Sequence, residues 1–298
     1  MTRAYVDRRV SDLAGASRAA QVAADHWRLS DPILLRQGMN AIFRCDDVVI
    51  RVSTPNAPAI ASVELAALLA EEGVRTASSA RDDVVEAAGF SITAWHHVES
   101  TGEPTDWVAV GSMIRHVHAM DPNRLPAALP RPWAAAFPWW DHAALLAEIE
   151  PHIDHVAAAG LRAAIERHRG WDAFVESTDA VVCHGDVHPG NVIMSPDGPV
   201  VIDWDLLCLA PRGWDHAPLM TWASRWGGDP GIYRDFVDGY GWAAVGDRYG
   251  EAFAELRLVS ATLMRWKVAL VDPAARPEAQ RRLAFWRGDR NAAMWSAQ

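Results

Sequence analysis

The sequence predicts an α+β chain of two lobes, a small β-rich lobe with one key helix ahead of a larger, mostly helical one. Short β-branched runs broken by turn residues fill the stretch from Pro32 to Trp95. One alanine- and leucine-rich segment interrupts them. Beyond Val98, apolar residues recur at helical spacing over most of the remaining chain. Half of the 298 residues are hydrophobic and 22% are charged, enough apolar content to bury a sizeable core.

The residues up to about Arg28 read as a helical or irregular lead-in. P-I-L-L-R-Q-G-M-N, A-I-F-R-C and V-V-I-R-V, separated by Gly-Met-Asn and Asp-Asp, read as a three-strand meander. A-I-A-S-V-E-L-A-A-L-L-A-E-E-G follows as a helix, with Pro58 near its start and Gly73 stopping it. Two more strands fall around Val84–Ala87 and Gly89–Trp95, so the order is β-β-β-α-β-β. A hinge near His96–Glu99 then divides a first lobe, residues 1–97, from a second, residues 98–298. Trp107, Val110, Ile114 and Val117 give the second lobe its first apolar helical face. Ala143–Ala158 and Leu161–Val175 read as a helical pair, with Pro151 breaking or kinking the first. Ala180–Cys183 is a short strand running into H-G-D. Val192–Met194 and Val200–Ile202 are two more, joined by the turn S-P-D-G. From Trp214 onward the pattern is helical, and Phe253, Leu256, Val259, Leu263, Trp266 and Leu270 mark one amphipathic stripe.

Bulk composition narrows the function classes. A net charge of −10, with acidic and basic residues mixed, argues against nucleic acid and anionic membranes as partners and towards a cationic one. Cys45, Cys183 and Cys208 lie far apart without C-x-x-C spacing and read as buried thiols in a reducing compartment. M-T-R-A-Y-V-D-R-R has no apolar signal core, and no apolar stretch is long enough to span a membrane. A cytoplasmic location is therefore expected. Of 28 basic residues only one, Lys267, is a lysine.

The segment V-V-C-H-G-D-V-H-P-G-N-V-I-M-S-P-D-G-P-V-V-I-D-W-D, Val181 to Asp205, carries the chemistry. A strand ends, a glycine-containing loop presents Asp186, and Asn191 follows on the same compact loop. A tight hairpin then folds Asp203 back toward Asn191. An amide carbonyl and a carboxylate converging on one point suit Mg²⁺, which takes oxygen ligands and completes its shell with phosphate oxygens and water. Asp186 is left to orient a hydroxyl and accept its proton. This is the division of labour in phosphoryl transfer, where positioning and charge neutralisation dominate.

H-G-D-V-H-P-G-N followed by V-I-D-W-D closely resembles the catalytic segment of the aminoglycoside-phosphotransferase family, which includes choline-kinase-like enzymes and is related to protein kinases. The resemblance implies a protein-kinase-like fold with Asp186 as base, Asn191 and Asp203 as Mg²⁺ ligands, and ATP or GTP as co-substrate. It implies that His184 buttresses the loop and that His188 stands where protein kinases often carry a phosphate-facing lysine. The strand-borne lysine of kinases is absent. Arg51 is its substitute and Glu64 its expected helix partner. The glycine-rich loop shrinks to Q-G-M-N, where backbone N–H groups around Gly38, Asn40 and Ala41 would face phosphates. Backbone groups of Trp95–Val98, His96 and Val98 included, would meet the nucleobase. Asp205 points away from the metal if its strand stays extended and helps shape the acceptor cleft. Asp215 resembles the family's downstream aspartate, a support for the loop set beside the acceptor. Asp229, Glu251 and Glu255 are further candidate carboxylates for the acceptor. Among fifteen tryptophans, Trp214 and Trp222 lie nearest the motif for stacking on a substrate.

The expected reaction is phosphorylation of a hydroxyl on a small, amine-bearing molecule, as an antibiotic-inactivating or a metabolic kinase. Two other readings stand beside it. One is a nucleotide-binding regulator without turnover, motivated by the missing lysine. The other is a metal-dependent hydrolase built on His184, Asp186 and His188.

Overall fold

The computed structural model describes residues 3–176, 179–289 and 291–296. Helix α1, Leu13–Trp27, opens on Asp12, whose carboxylate accepts the Gly15 N–H at 2.8 Å. Strands β1 (Ile33–Gln37), β2 (Ala41–Cys45) and β3 (Val48–Ser53) form the expected meander. Helix α2 spans Ile60–Glu71, and β4 (Val85–Ala87) and β5 (Phe90–His96) complete an antiparallel sheet of order β1-β2-β3-β5-β4.

The lead-in supplies a helix that packs on this sheet. Five alanines of α1, with Trp27, are buried against Phe43, Ile50 and Ile92, so the lead-in is a packed helix. Small residues let its backbone lie close to the strands. Because strand side chains alternate, Val48, Ile50 and Val52 turn toward α1 while Val49 and Arg51 turn to the opposite face. That face looks into the interlobe cleft. Helix α2 buries Ala61, Leu65 and Leu69 in a core shared with the helical lobe.

The helical lobe begins with α3, Trp107–Ala119. The expected helical pair is divided differently. Helix α4 covers His142–Ile149, a 3-10 turn at Glu150–His152 holds Pro151, and α5 runs His155–Arg167. Asp154 caps α5 by accepting the Ala157 N–H at 2.9 Å, so this helix starts well before Leu161. Gly170, at φ 83°, separates the short α6, Trp171–Val175. Next come β6 (Ala180–Cys183), the hairpin β7 (Val192–Ser195) and β8 (Gly198–Val201), and β9 (Cys208–Pro211). Strand β9, too short and proline-ended to read from the sequence, pairs antiparallel with β6. Helices α7 (Gly213–Met220), α8 (Trp222–Trp226), α9 (Gly231–Tyr240), α10 (Arg248–Val271) and α11 (Arg276–Trp286) follow. The predicted stripe lies on α10, with Phe253, Leu256, Val259 and Leu263 fully buried. All three cysteines are buried and free, and no helix among the described residues is long and apolar enough to cross a membrane.

Helices α3 and α9 cross at glycines on both sides. A Cβ on Gly111 would run into the Phe236 carbonyl, and one on Gly239 into the Val108 carbonyl. Gly111→Ala or Gly239→Ala should each cost about 1–3 kcal/mol through overpacking, read as a lowered urea midpoint. The double variant should cost less than the two together, because the first methyl already separates the helices. Full additivity would show that the two glycines do not share one contact.

Candidate active site

Strand β6 delivers the loop His184–Asn191. The backbone N–H groups of His184 and Gly185 both donate to the carboxylate of Asp215 at 2.8 Å. His118 on α3 meets the same carboxylate at 3.0 Å and the Tyr240 hydroxyl on α9 at 2.8 Å. Burial alone would raise the Asp215 pKa, but the His118 hydrogen bond and the other donors outweigh it and hold it below the usual carboxylate value. Gly185 has φ +89°, and a side chain there would collide with the Leu206 carbonyl. The His184 ring is used at both nitrogens. Nδ1 accepts the Asp186 N–H at 3.1 Å and Nε2 meets the Ile202 carbonyl at 3.0 Å, which makes Nε2 the protonated nitrogen. With both nitrogens engaged, His184 cannot ligate a metal, and the hydrolase arrangement of His184, Asp186 and His188 loses a ligand.

Asp186 is about one-quarter exposed and forms an ion pair with Arg257 of α10. Asn191 Nδ2 donates to the Asp186 carbonyl at 2.9 Å and lies 3.3 Å from its carboxylate, with His188 Nε2 at 3.4 Å. Burial lowers the His188 pKa to about 4, so its ring is neutral near pH 7. Asp186 and His188 border a cavity of about 290 Å³ whose walls include Trp139, Trp222, Trp226 and Met264. The ring of Trp222 stacks on His188 at 5.6 Å and 13°.

The hairpin places Asn191 beside Asp203 along the chain path. The Ile202 N–H donates to the Asn191 carbonyl at 2.9 Å, and Asp203 is the next residue. There the backbone turns left-handed, φ 67° and ψ 62°, and enters a 3-10 turn over Trp204–Leu206. The segment to Asp205 is therefore not extended. The turn swings Asp205 into the cleft, where it pairs with Arg51 at 2.5 Å and accepts from Asn40 Nδ2 at 2.8 Å. The expected Arg51–Glu64 pair does not form. Glu64 is exposed on α2, and Asp205 is the carboxylate that meets the arginine. Burial works against the Arg51 charge, yet Asp205 raises its pKa above the ordinary value.

The cleft, about 350 Å³, is bordered by Arg36, Asn40, Arg51, His96, Val98, Asp203 and Asp205 among others. Arg51 Nε and Asn40 Oδ1 are buried there without a hydrogen-bond partner among the described residues. The N–H of Gly38 closes its own turn on the Asn40 carbonyl at 2.8 Å and is not free for a ligand. At the hinge, the His96 and His97 N–H groups donate to Ser78 and Asp47, while that of Val98 has no acceptor among the described residues. The Asp203 side chain makes no hydrogen bond or ion pair among the described residues. Burial first, then the neighbouring Asp205, push its pKa up, with Arg51, Arg36 and His188 offsetting part of the rise.

Neither Asp205 nor Asp215 lies at the Asp186 cavity: the first faces the opposite cleft and the second is 0% exposed. Trp214 is likewise core, at 2% exposed, while Trp222 does border the cavity. Arg257 and Arg36 carried no sequence signal. Arg257 sits within the leucine-rich run L-R-L-V, 71 residues from the carboxylate it meets.

Residues 46–259 match the sequence model of the phosphotransferase enzyme family. No curated protein sequence matches the chain. Among solved structures, it resembles a spectinomycin phosphotransferase in complex with ADP and spectinomycin at a TM-score of 0.63 and 18% identity, covering 88% of each chain. A GDP and kanamycin complex of an aminoglycoside phosphotransferase superposes at 0.68 and 14% identity, over 88% of this chain and 94% of that one. A macrolide 2'-phosphotransferase from Brachybacterium faecium gives 0.57 at 19% identity, over 89% and 97%.

Two buried histidines give the lobe an acid sensitivity. Burial lowers His142 to about 4 and His216 to about 3, against an ordinary 6.5. The unfolded chain therefore binds more protons below pH 6.5, and stability falls as pH drops from there toward 4. Thermal midpoints measured across this window should fall less steeply in His142→Gln and His216→Gln than in the wild type. Parallel slopes would exclude the two rings as the source.

Proposed function

The chain belongs to the phosphotransferase enzyme family, and on that premise we propose that it moves the γ-phosphoryl group of ATP or GTP to a hydroxyl of a small molecule. One observation carries the reading. The single segment His184–Asp205 borders two cavities, with Asp186 and His188 on one and Asp203 and Asp205 on the other. Donor and acceptor can then meet across one short stretch of chain.

In this reading the cleft takes the nucleotide. The unpartnered Val98 N–H and the apolar Ile42, Val49, Ile193 and Ile202 suit a planar base. The orphaned Arg51 Nε–H suits a phosphate oxygen, and the Asp205 pair holds its guanidinium in place. The lobes meet after residue 97, where β5 gives way to the hinge. Asp186 lies in the other cavity, with Arg257 and Asn191 fixing its carboxylate. From there it orients the acceptor hydroxyl and takes its proton as the bond to phosphorus forms.

A divalent cation fits beside Asp203. That carboxylate is half-buried, lacks a hydrogen bond, and stands next to a second carboxylate whose charge Arg51 already answers. Asn191 and Asp203 would hold Mg²⁺, which supplies charge neutralisation for the triphosphate.

Asp186→Asn should leave nucleotide affinity within about twofold and lower the transfer rate by roughly 10²–10⁴-fold. Calorimetry with ATP and GTP, and a mass gain of one phosphoryl group on an acceptor panel, check both halves. Unchanged turnover in Asp186→Asn would remove the base assignment, and nucleotide binding without any turnover in the wild type would favour the regulator reading. Asp203→Ala should weaken binding of Mg²⁺-nucleotide far more than of metal-free nucleotide. Equal losses would exclude it as a ligand.

A further inference from the structure

The net charge of the chain points to a cationic acceptor, but the cavity that holds Asp186 does not. We propose that the acceptor is an uncharged cyclic alcohol that lays an apolar face on the tryptophan wall and turns one hydroxyl to Asp186. This rests on the reading of that cavity as the acceptor site.

The walls are the first argument. Trp139, Trp222, Trp226, Leu206, Pro218 and Met264 give the cavity an apolar lining. His188, Trp222 and Trp226 stack in series, 5.6 Å and 5.8 Å apart with planes within 20° of each other. Such a row suits the flat face of a ring. The Gly228 position packs against the Trp222 indole and helps hold it there.

The polar inventory is the second. Asp186 is the one carboxylate that borders the cavity among the described residues, and Arg257, which also borders it, already neutralises it. Of the hydroxyls, Thr221 donates to the Pro218 carbonyl at 3.3 Å and Ser260 meets His142 at 3.0 Å. A polyamine entering this space would bring several ammonium groups to a site with no uncommitted carboxylate and with a guanidinium on its floor. The other acidic candidates of the helical lobe do not help. Glu255 is taken by Arg167 and His168, Glu251 accepts the Gly246 N–H at 3.0 Å, and Asp229 accepts the Gly231 N–H at 2.7 Å. None of them borders the cavity. These three carboxylates are spent on ion-pairing and backbone contacts and are not gathered at the cavity.

The test is calorimetric titration of the full chain, saturated with AMP-PNP and Mg²⁺, with three probes: a neutral macrolactone polyol without amino sugars, kanamycin as the polyamine, and choline as a compact cation that could sit in an aromatic box. The macrolactone should bind at least ~10-fold more tightly than either cation. Its affinity should change by less than about twofold from low to high salt, since no charge is paired. Trp222→Ala should weaken it by about tenfold or more through loss of the stacked face. Met264→Glu, which adds a carboxylate to the wall, should shift preference toward kanamycin. Tighter binding of kanamycin or choline, or no binding of the macrolactone, would overturn the inference. Phosphorylation of kanamycin that depends on Asp186 would do the same while leaving the kinase reading intact. Failure of AMP-PNP itself to bind would instead overturn the kinase reading, and this inference with it.

Discussion

The carboxylate of Asp215 is wholly buried and answers three donors at once: the N–H groups of His184 and Gly185 and the ring of His118. Leaving a buried charged group short of one hydrogen-bond donor typically costs about 1–3 kcal/mol or more, because no water can take the donor's place. That penalty makes the geometry of the loop stiff. His118 is in turn held by Tyr240, and these two residues sit on α3 and α9, the helices that close on each other through Gly111 and Gly239. A helix crossing, a histidine and a carboxylate thus form one continuous support from the core to the backbone of the loop. Asp186, two residues beyond His184, inherits its position from that support.

On the other side of the loop, charge is balanced by an arginine, Arg51. Asp205 meets Arg51, a residue 154 positions earlier, and so ties the strand-rich lobe to the helical one across the cleft. A guanidinium can do this while keeping a donor free. Its planar fork spends one nitrogen on Asp205 and leaves Nε unpartnered toward the cleft, which a single ammonium could not do with the same directionality. Asp203 stands beside this pair with no partner of its own. Two adjacent carboxylates, one answered and one not, are an arrangement that favours a cation.

Local features of this site were legible in the sequence, and contacts across long separations were not. A short β-branched run bounded by turn residues placed Arg51 on a strand, and P-G-N with S-P-D-G gave the compact loop and hairpin that bring Asn191 close to Asp203 along the chain. The spacing of the α10 stripe likewise identified its buried face. By contrast, pairing Arg51 with Glu64 assumed that the nearest helix carboxylate in sequence would be the partner. The left-handed turn at Asp203, rare for a residue with a Cβ, redirects Asp205 and supplies a different one. No propensity argument signals that turn. Arg257 was hidden for a related reason: amid leucines on a long helix it reads as a solvated residue until the helix is packed against the loop.

Helix α10 also links two properties that are usually treated apart. It carries Arg257, which fixes the Asp186 carboxylate, and Leu258, Ser260, Ala261 and Met264, which shape the cavity that carboxylate faces. Its 24 residues open on an Asp247 cap and are anchored by a core that includes Trp266. Any shift of α10 that widened the cavity would also pull Arg257 away from Asp186 and leave a partly buried carboxylate unpaired. Shape and charge at this cavity are therefore set by the same rigid element. Within this fold the cavity is more readily reshaped by substituting single wall residues than by moving the helix that carries them.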